Sequence, residues 1–226
     1  DGARPDRWTH VFASVQSLDR RQLEEVAPTH FDVVIIDEFH HAAAPTYRRL
    51  LEHFKPALLV GLTATPEPTD GASVLEWFEG RMAAEVRLWE AIDEGALVPF
   101  QYFGIADDVS LAALQWKRGG YLSADLEKVY TGNDARVMKI LHAINECVTE
   151  PSAMRALGFC VSIEHARYMA RMFSNAGLPS VAVTGETESA ERDAALRDLR
   201  AGDIKVVFAV DIFNEGVDVP EVDTVL

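Results

Sequence analysis

Asp37 and Glu38 leave the apolar run Phe31-Asp32-Val33-Val34-Ile35-Ile36 as a pair of carboxylates, with Phe39 and His40 directly behind them. A β-branched run of this kind reads as a parallel strand buried on both faces. Ligands of such sheets gather beyond the carboxyl ends of the strands, so two acids there are suited to two tasks. One can hold Mg²⁺ through its water shell, because that ion dehydrates reluctantly. The other can orient and deprotonate a water attacking the γ-phosphate of a nucleotide. The bland alternative is an acidic turn with a helix-capping role. A second run, Leu58-Leu59-Val60-Gly61-Leu62, exits into Thr63-Ala64-Thr65-Pro66. Two hydroxyls at the end of a neighbouring strand can bridge the carboxylates to whatever lies across the cleft. Alone, they describe only a threonine-rich strand exit broken by proline.

Strand and helix signals alternate along the chain, which points to α/β architecture with parallel sheets. Helices are expected over 46–54 and 73–78, with a linker-like zone from Pro66 to Gly71 between strand and helix. Near Glu90 to Pro99 the pattern changes and a fresh α/β series begins. Asn133 is a plausible N-cap for a helix that places Val137, Ile140, Leu141, Ile144 and Val148 on one face. Strands are expected over 157–161, 180–183 and 206–210. Helices over 164–176 and 189–201 are each closed by a glycine, Gly177 and Gly202.

At 226 residues, 48% of them hydrophobic and 25% charged, the chain has apolar material for two lobes. No run approaches the roughly 18 apolar residues of a membrane span, and no signal peptide opens the sequence, so a cytoplasmic protein without a membrane partner is expected. Cys147 and Cys160 lack metal-site spacing and read as packed thiols. The net charge of −15 is shared by both halves. The composition therefore does not advertise nucleic-acid binding through a broad basic surface, and contact is expected through a narrow local groove, through backbone amides or through segments not present in this sequence.

Asp37-Glu38-Phe39-His40 resembles motif II (Walker B) of DExH helicases, and Thr63-Ala64-Thr65 resembles motif III. The segment Val11-Phe12-Ala13-Ser14-Val15-Gln16-Ser17-Leu18 resembles motif Ib, which implies nucleic-acid contacts at Ser14, Gln16 and Ser17. Gly158 to Ser162, followed by Glu164-His165-Ala166, resembles motif IV. Thr184-Gly185-Glu186-Thr187 resembles the loop that meets the nucleic-acid backbone in the second domain. The run from Phe208 to Pro220 resembles motif V, which implies that Gly216 lies against the nucleotide and that Asp218 faces the ATP sugar. On these motifs, in this order, the chain is identified as similar to superfamily 2 helicases. The nearest flavour is the bacterial group related to type III restriction subunits and excision-repair helicases.

The resemblance implies two RecA-like parallel-sheet domains, both incomplete: 1–95 with motifs Ib, II and III, and 96–226 with motifs IV and V. It further implies ATP with Mg²⁺ as cofactors, Asp37 as the acid that holds Mg²⁺ through water, and Glu38 as general base. His40 would contact an arginine-finger segment, Thr63 and Thr65 would couple hydrolysis to strand movement, and the partner would be nucleic acid, DNA in preference to RNA. No G-x-x-x-x-G-K-[ST] phosphate loop occurs in the sequence, nor does the Q-x-x-G-R-x-x-R type segment that carries arginine fingers. The chain alone is accordingly expected to be inactive. Two other readings compete. Asp37, Glu38, His40 and His41 carry metal-ligand chemistry suited to a metal-dependent hydrolase, although their spacing is not H-E-x-x-H. The acidic lobes also suit a non-catalytic interaction module.

Overall fold

The computed structural model describes residues 9–15, 20–66, 74–106, 114, 116–117, 120–210, 213 and 219–226. The chain divides into two compact units, Asp1–Pro99 and Phe100–Leu226.

In the first unit, helix α1 (Arg20–Glu25) precedes strand β1 (Val33–Ile36), a 3₁₀ turn (Phe39–Ala43), helix α2 (Pro45–His53) and strand β2 (Leu58–Gly61). A second 3₁₀ turn (Val74–Phe78) and helix α3 (Leu88–Asp93) follow. β1 and β2 pair in parallel, with Val33 opposite Leu58 and Ile36 opposite Gly61. The connection between them is α2, which opens with Pro45 at its first turn, where a missing N–H costs nothing. Its Tyr47, Leu50 and Leu51, together with Phe54 just beyond, recur at helical spacing and bury one face. They pack with Leu23, Val26, Ile36 and Phe39 into one apolar cluster. His53 Nε2, 2.8 Å from the Val26 carbonyl, ties the end of α2 to the loop after α1.

Two expectations need correction here. β1 is buried on one face only: Ile36 is 5% exposed, whereas Val33 and Ile35 are 50% and 63% exposed. Successive side chains of a strand point to opposite faces, and α2 and its cluster cover just the side that Ile36 faces. The helix expected over 73–78 is a 3₁₀ turn of five residues, Val74–Phe78. A segment that short cannot offset the cost of nucleating an α-helix, and its β-branched and aromatic residues favour one least. Ser73 lies outside the described residues.

The second unit contains a short antiparallel ladder of β3 (Trp116–Lys117) and β4 (Gly120–Tyr121). Helices α4 (Ser123–Tyr130) and α5 (Asp134–Cys147) follow. Then come β5 (Ala156–Phe159), α6 (Ile163–Asn175), β6 (Ser180–Val183), α7 (Ser189–Ala201), β7 (Val206–Ala209) and β8 (Thr224–Val225). The last four strands form one parallel sheet in the order β6-β7-β5-β8. Period-two alternation sends Ala156, Val206 and Phe208 to the side covered by α5 and α6. Leu157, Val207 and Ala209 go to the side covered by α7. β7, buried at all four positions, is central. Phe208 lies over Gly158, its register partner on β5, where any Cβ would collide with the ring. The Asn133 side chain accepts the Arg136 N–H at 3.1 Å and caps α5. Gly177 and Gly202 turn the chain after α6 and α7 with φ of 86° and 82°.

Candidate nucleotide and nucleic-acid site

The exits of β1 and β2 are stapled together. The Leu62 N–H donates to the Ile36 carbonyl at 2.9 Å, and the Phe39 N–H donates to the Leu62 carbonyl at 2.8 Å. These bonds extend the parallel pairing one step past the strands, so Asp37 and Thr63 leave the same sheet edge together. Between Asp37 and Phe39 the backbone reverses at Glu38, whose φ of 50° and ψ of 48° are left-handed. A side chain in that region costs about 1–2 kcal/mol. Burial of Phe39, fully excluded from solvent, offsets it, since covering a phenylalanine contributes about 1.5–3 kcal/mol. The reversal sends Phe39 into the core and leaves the acids outside. Gly61 makes room for this: a Cβ there would stand 2.7 Å from Phe78 Cζ and 2.8 Å from Phe39. The two rings meet over the glycine at 4.8 Å between centroids.

His40 joins the two exits. Its Nδ1 is 3.2 Å from Thr63 Oγ1 and 3.3 Å from Glu38 Oε2. A carboxylate only accepts, so it selects the tautomer with the proton on Nδ1. That proton is shared between Glu38 and Thr63. Thr63 Oγ1 also accepts the Thr65 N–H at 3.1 Å, which folds the threonine turn around one oxygen. Asp37 is exposed, and its Oδ1 accepts the Glu38 N–H at 3.0 Å. A solvent-facing carboxylate partly engaged by an amide suits contact with Mg²⁺ through water. Among the described residues no three His, Cys, Asp or Glu side chains stand together as a metal ligand set. The rings of His40 and His41 instead meet at 4.0 Å between centroids, tilted by 46°.

In the second unit Thr184 follows β6 at the carboxyl edge of the larger sheet and is 3% exposed. Its N–H donates to Thr187 Oγ1 at 2.9 Å, and its own Oγ1 accepts the Glu186 N–H at 3.2 Å. Gly185 at the tip is exposed, with open space where a Cβ would be. At the exit of β5 the Ser162 hydroxyl accepts the His165 N–H at 3.1 Å and caps α6. The His165 ring is buried beneath Tyr130, stacked at 5.7 Å, and its Nδ1 accepts the Val161 N–H at 3.4 Å. Burial, aided by the Arg136 charge and opposed by Glu127, lowers its pKa to about 4. Burial likewise pushes the Cys160 thiol up to about 12, against the lowering influence of Arg136.

Ser14 is exposed in a segment without regular secondary structure. Gln16 and Ser17, and Gly216 and Asp218 of the motif V run, lie outside the described residues. Two groups that shape the site escaped the motif reading. Gly61 carried a usable signal, since a glycine within a strand marks close approach of another group. Phe78, which fills that space, carried none.

A parallel sheet crossed over by helices, with polar turns at its carboxyl edge, is RecA-like α/β architecture. The structure superposes on Dbp5 of Saccharomyces cerevisiae bound to RNA and ADP BeF3 with a TM-score of 0.50 at 15% identity. That alignment covers 87% of this chain and 44% of the other. Residues 2–68 match the family description "Type III restriction enzyme, res subunit", and residues 137–226 match "Helicase conserved C-terminal domain". The chain belongs to the superfamily 2 helicase-type ATPases. A "51.5 kDa protein" of a Lactococcus phage is 30% identical over 84% of this chain and 40% of its own length. A Schizosaccharomyces pombe protein, provisionally named a mitochondrial ATP-dependent helicase, irc3, is 27% identical over 94% of this chain and 35% of its own. The chain thus spans well under half the length of these relatives. No helix among the described residues is long and apolar enough to cross a membrane.

Proposed function

We propose that the chain is part of a cytoplasmic DExH-type helicase or translocase that couples ATP hydrolysis to movement on nucleic acid, DNA in preference to RNA. The observation that carries this reading is the His40 bridge between the acid turn of β1 and the threonine turn of β2. Residues 1–95 act as the later portion of a first RecA-like domain, and residues 96–226 act as a second. Asp37 would hold Mg²⁺ through its water shell, and the ion bound there would supply positive charge to offset that of the phosphates. Glu38 takes the proton of the attacking water, with its carboxylate oriented by the His40 Nδ1–H. Gly216 and Asp218 face the nucleotide. Ser14, Gln16, Ser17, Thr184 and Gly185 touch the strand backbone, while Thr63 and Thr65 link the two events. The restriction-subunit family description supports DNA.

The test is Glu38→Gln in the intact protein. Binding of Mg·ATP is expected to persist while turnover falls by about 10²–10⁴, the usual contribution of a general base. Near-normal turnover would sink the mechanism. Single-stranded DNA should stimulate the unmodified protein more than RNA of equal length, and the reverse order would overturn the DNA assignment.

A further inference from the structure

Arg167 lies in the first half of α6, where two acids from different elements hold its guanidinium. One edge donates to Glu164 Oε1 at 2.8 Å, one turn back on the same helix. The other edge donates to Glu186 Oε2 at 3.0 Å, from the loop that follows β6. All three side chains are more than half exposed: 53% for Arg167, 61% for Glu164 and 65% for Glu186. The loop is shaped without the Glu186 carboxylate. Thr184 and Thr187 exchange bonds at 2.9 and 3.0 Å, the Glu186 backbone N–H is held by Thr184 Oγ1, and Arg192 donates to the Thr187 carbonyl at 3.1 Å. The Glu186 side chain is therefore spare to the fold and serves Arg167.

A planar guanidinium with its donors in a fork is the side chain best matched to a phosphate. Here a carboxylate occupies one side of that fork, at the rim of the loop with the exposed Gly185 tip. Exposed ion pairs contribute little to stability, so a second anion can replace this one at small cost. We propose that Glu186 stands in for a backbone phosphate: it holds Arg167 beside the Thr184–Thr187 loop until a phosphodiester of a single strand of nucleic acid displaces it. This rests on the proposed nucleic-acid-dependent function and adds a residue and a selection device to it. A strand that engages the loop at several points displaces Glu186, whereas a lone weak anion gains too little. The device also explains how a chain of net charge −15 keeps a cation available without becoming an indiscriminate polyanion binder. When Glu186 is displaced it recruits a cation from solution, which cancels the counterion that the phosphate releases. The salt dependence of binding is therefore muted by about one phosphate contact.

The experiment uses the 226-residue chain with E186Q, R167A and the double variant E186Q/R167A, titrated with labelled 20-mers of deoxythymidylate and of uridylate across a salt series. E186Q keeps the loop's backbone bonds and the side-chain shape, and thermal melts check that each variant folds. E186Q is expected to bind about fivefold tighter at low salt, the factor that one unit charge at contact distance produces in water. Its log–log salt slope should steepen by about 0.7, the value for one phosphate of a single strand. Both gains should vanish in the double variant. A gain shared by both oligomers supports recognition of the common phosphate, and a gain confined to one supports the exchange and assigns the loop to that nucleic acid. Wild-type binding with an unchanged E186Q, or a gain that survives R167A, overturns the exchange while leaving the helicase reading intact. Absence of binding by every variant at low salt likewise overturns the exchange, whereas the helicase reading is tested separately by turnover in the intact protein.

Discussion

His40 Nδ1 stands 3.2 Å from Thr63 Oγ1, across 23 residues of sequence. The same nitrogen is 3.3 Å from the Glu38 carboxylate, so the acid that would handle the attacking water and the threonine turn share one proton.

Replacing Thr63 by alanine removes one acceptor of that proton and leaves the Thr65 N–H without its partner. In the intact protein, unstimulated ATP turnover is expected to stay within about twofold, while stimulation by nucleic acid falls about fivefold. That factor is the weight of one hydrogen bond of about 1 kcal/mol. Thr63→Ser, which keeps the oxygen, should behave as wild type. Steady-state turnover with and without strand reads this, and equal losses in both conditions would show that Thr63 belongs to the chemical step.

Gly61→Ala puts a methyl group where Phe39 and Phe78 pack. Overpacking of this kind costs about 1–3 kcal/mol, visible as a lower urea midpoint at unchanged slope. Adding Phe78→Ala should recover part of the loss, because it removes the ring that collides most closely. A double variant that is destabilised by the full sum of both changes would mean that the rings yield elsewhere.

His165 makes stability depend on pH. Its folded-state pKa is lowered to about 4 from 6.5, so between those values the unfolded chain binds the proton that the folded chain refuses. Stability is expected to fall as pH drops from about 6.5 toward 4, and this contribution levels off below 4. Burial under Tyr130 beside Arg136 is the cause. Thermal melts from pH 7 to 4 should show a shallower decline for His165→Gln than for wild type. Parallel declines would place the titration on another group.

The sequence by itself determined the elements and the motifs they carry. Alternating β-branched runs and amphipathic stretches located β1, β2, α5, α6, β6, α7 and β7 to within a few residues, because local propensity and burial agree there. Asn133 could be read as a cap residue because its side chain acts on backbone within a few positions. Asp37, Glu38, His40 and Thr63 could be picked out from order and residue type alone.

Tertiary structure decided what these residues touch. The one-sided burial of β1 depends on which face α2 covers, and a run of valines and isoleucines carries no record of its neighbours. The left-handed Glu38, the shared His40 proton and the rings over Gly61 arise from contacts between segments far apart in sequence. So does the grip of Glu186 on Arg167, 19 residues away. Periodicity reports how a segment meets the core, whereas a hydrogen bond between segments depends on packing that places two atoms within about 3 Å.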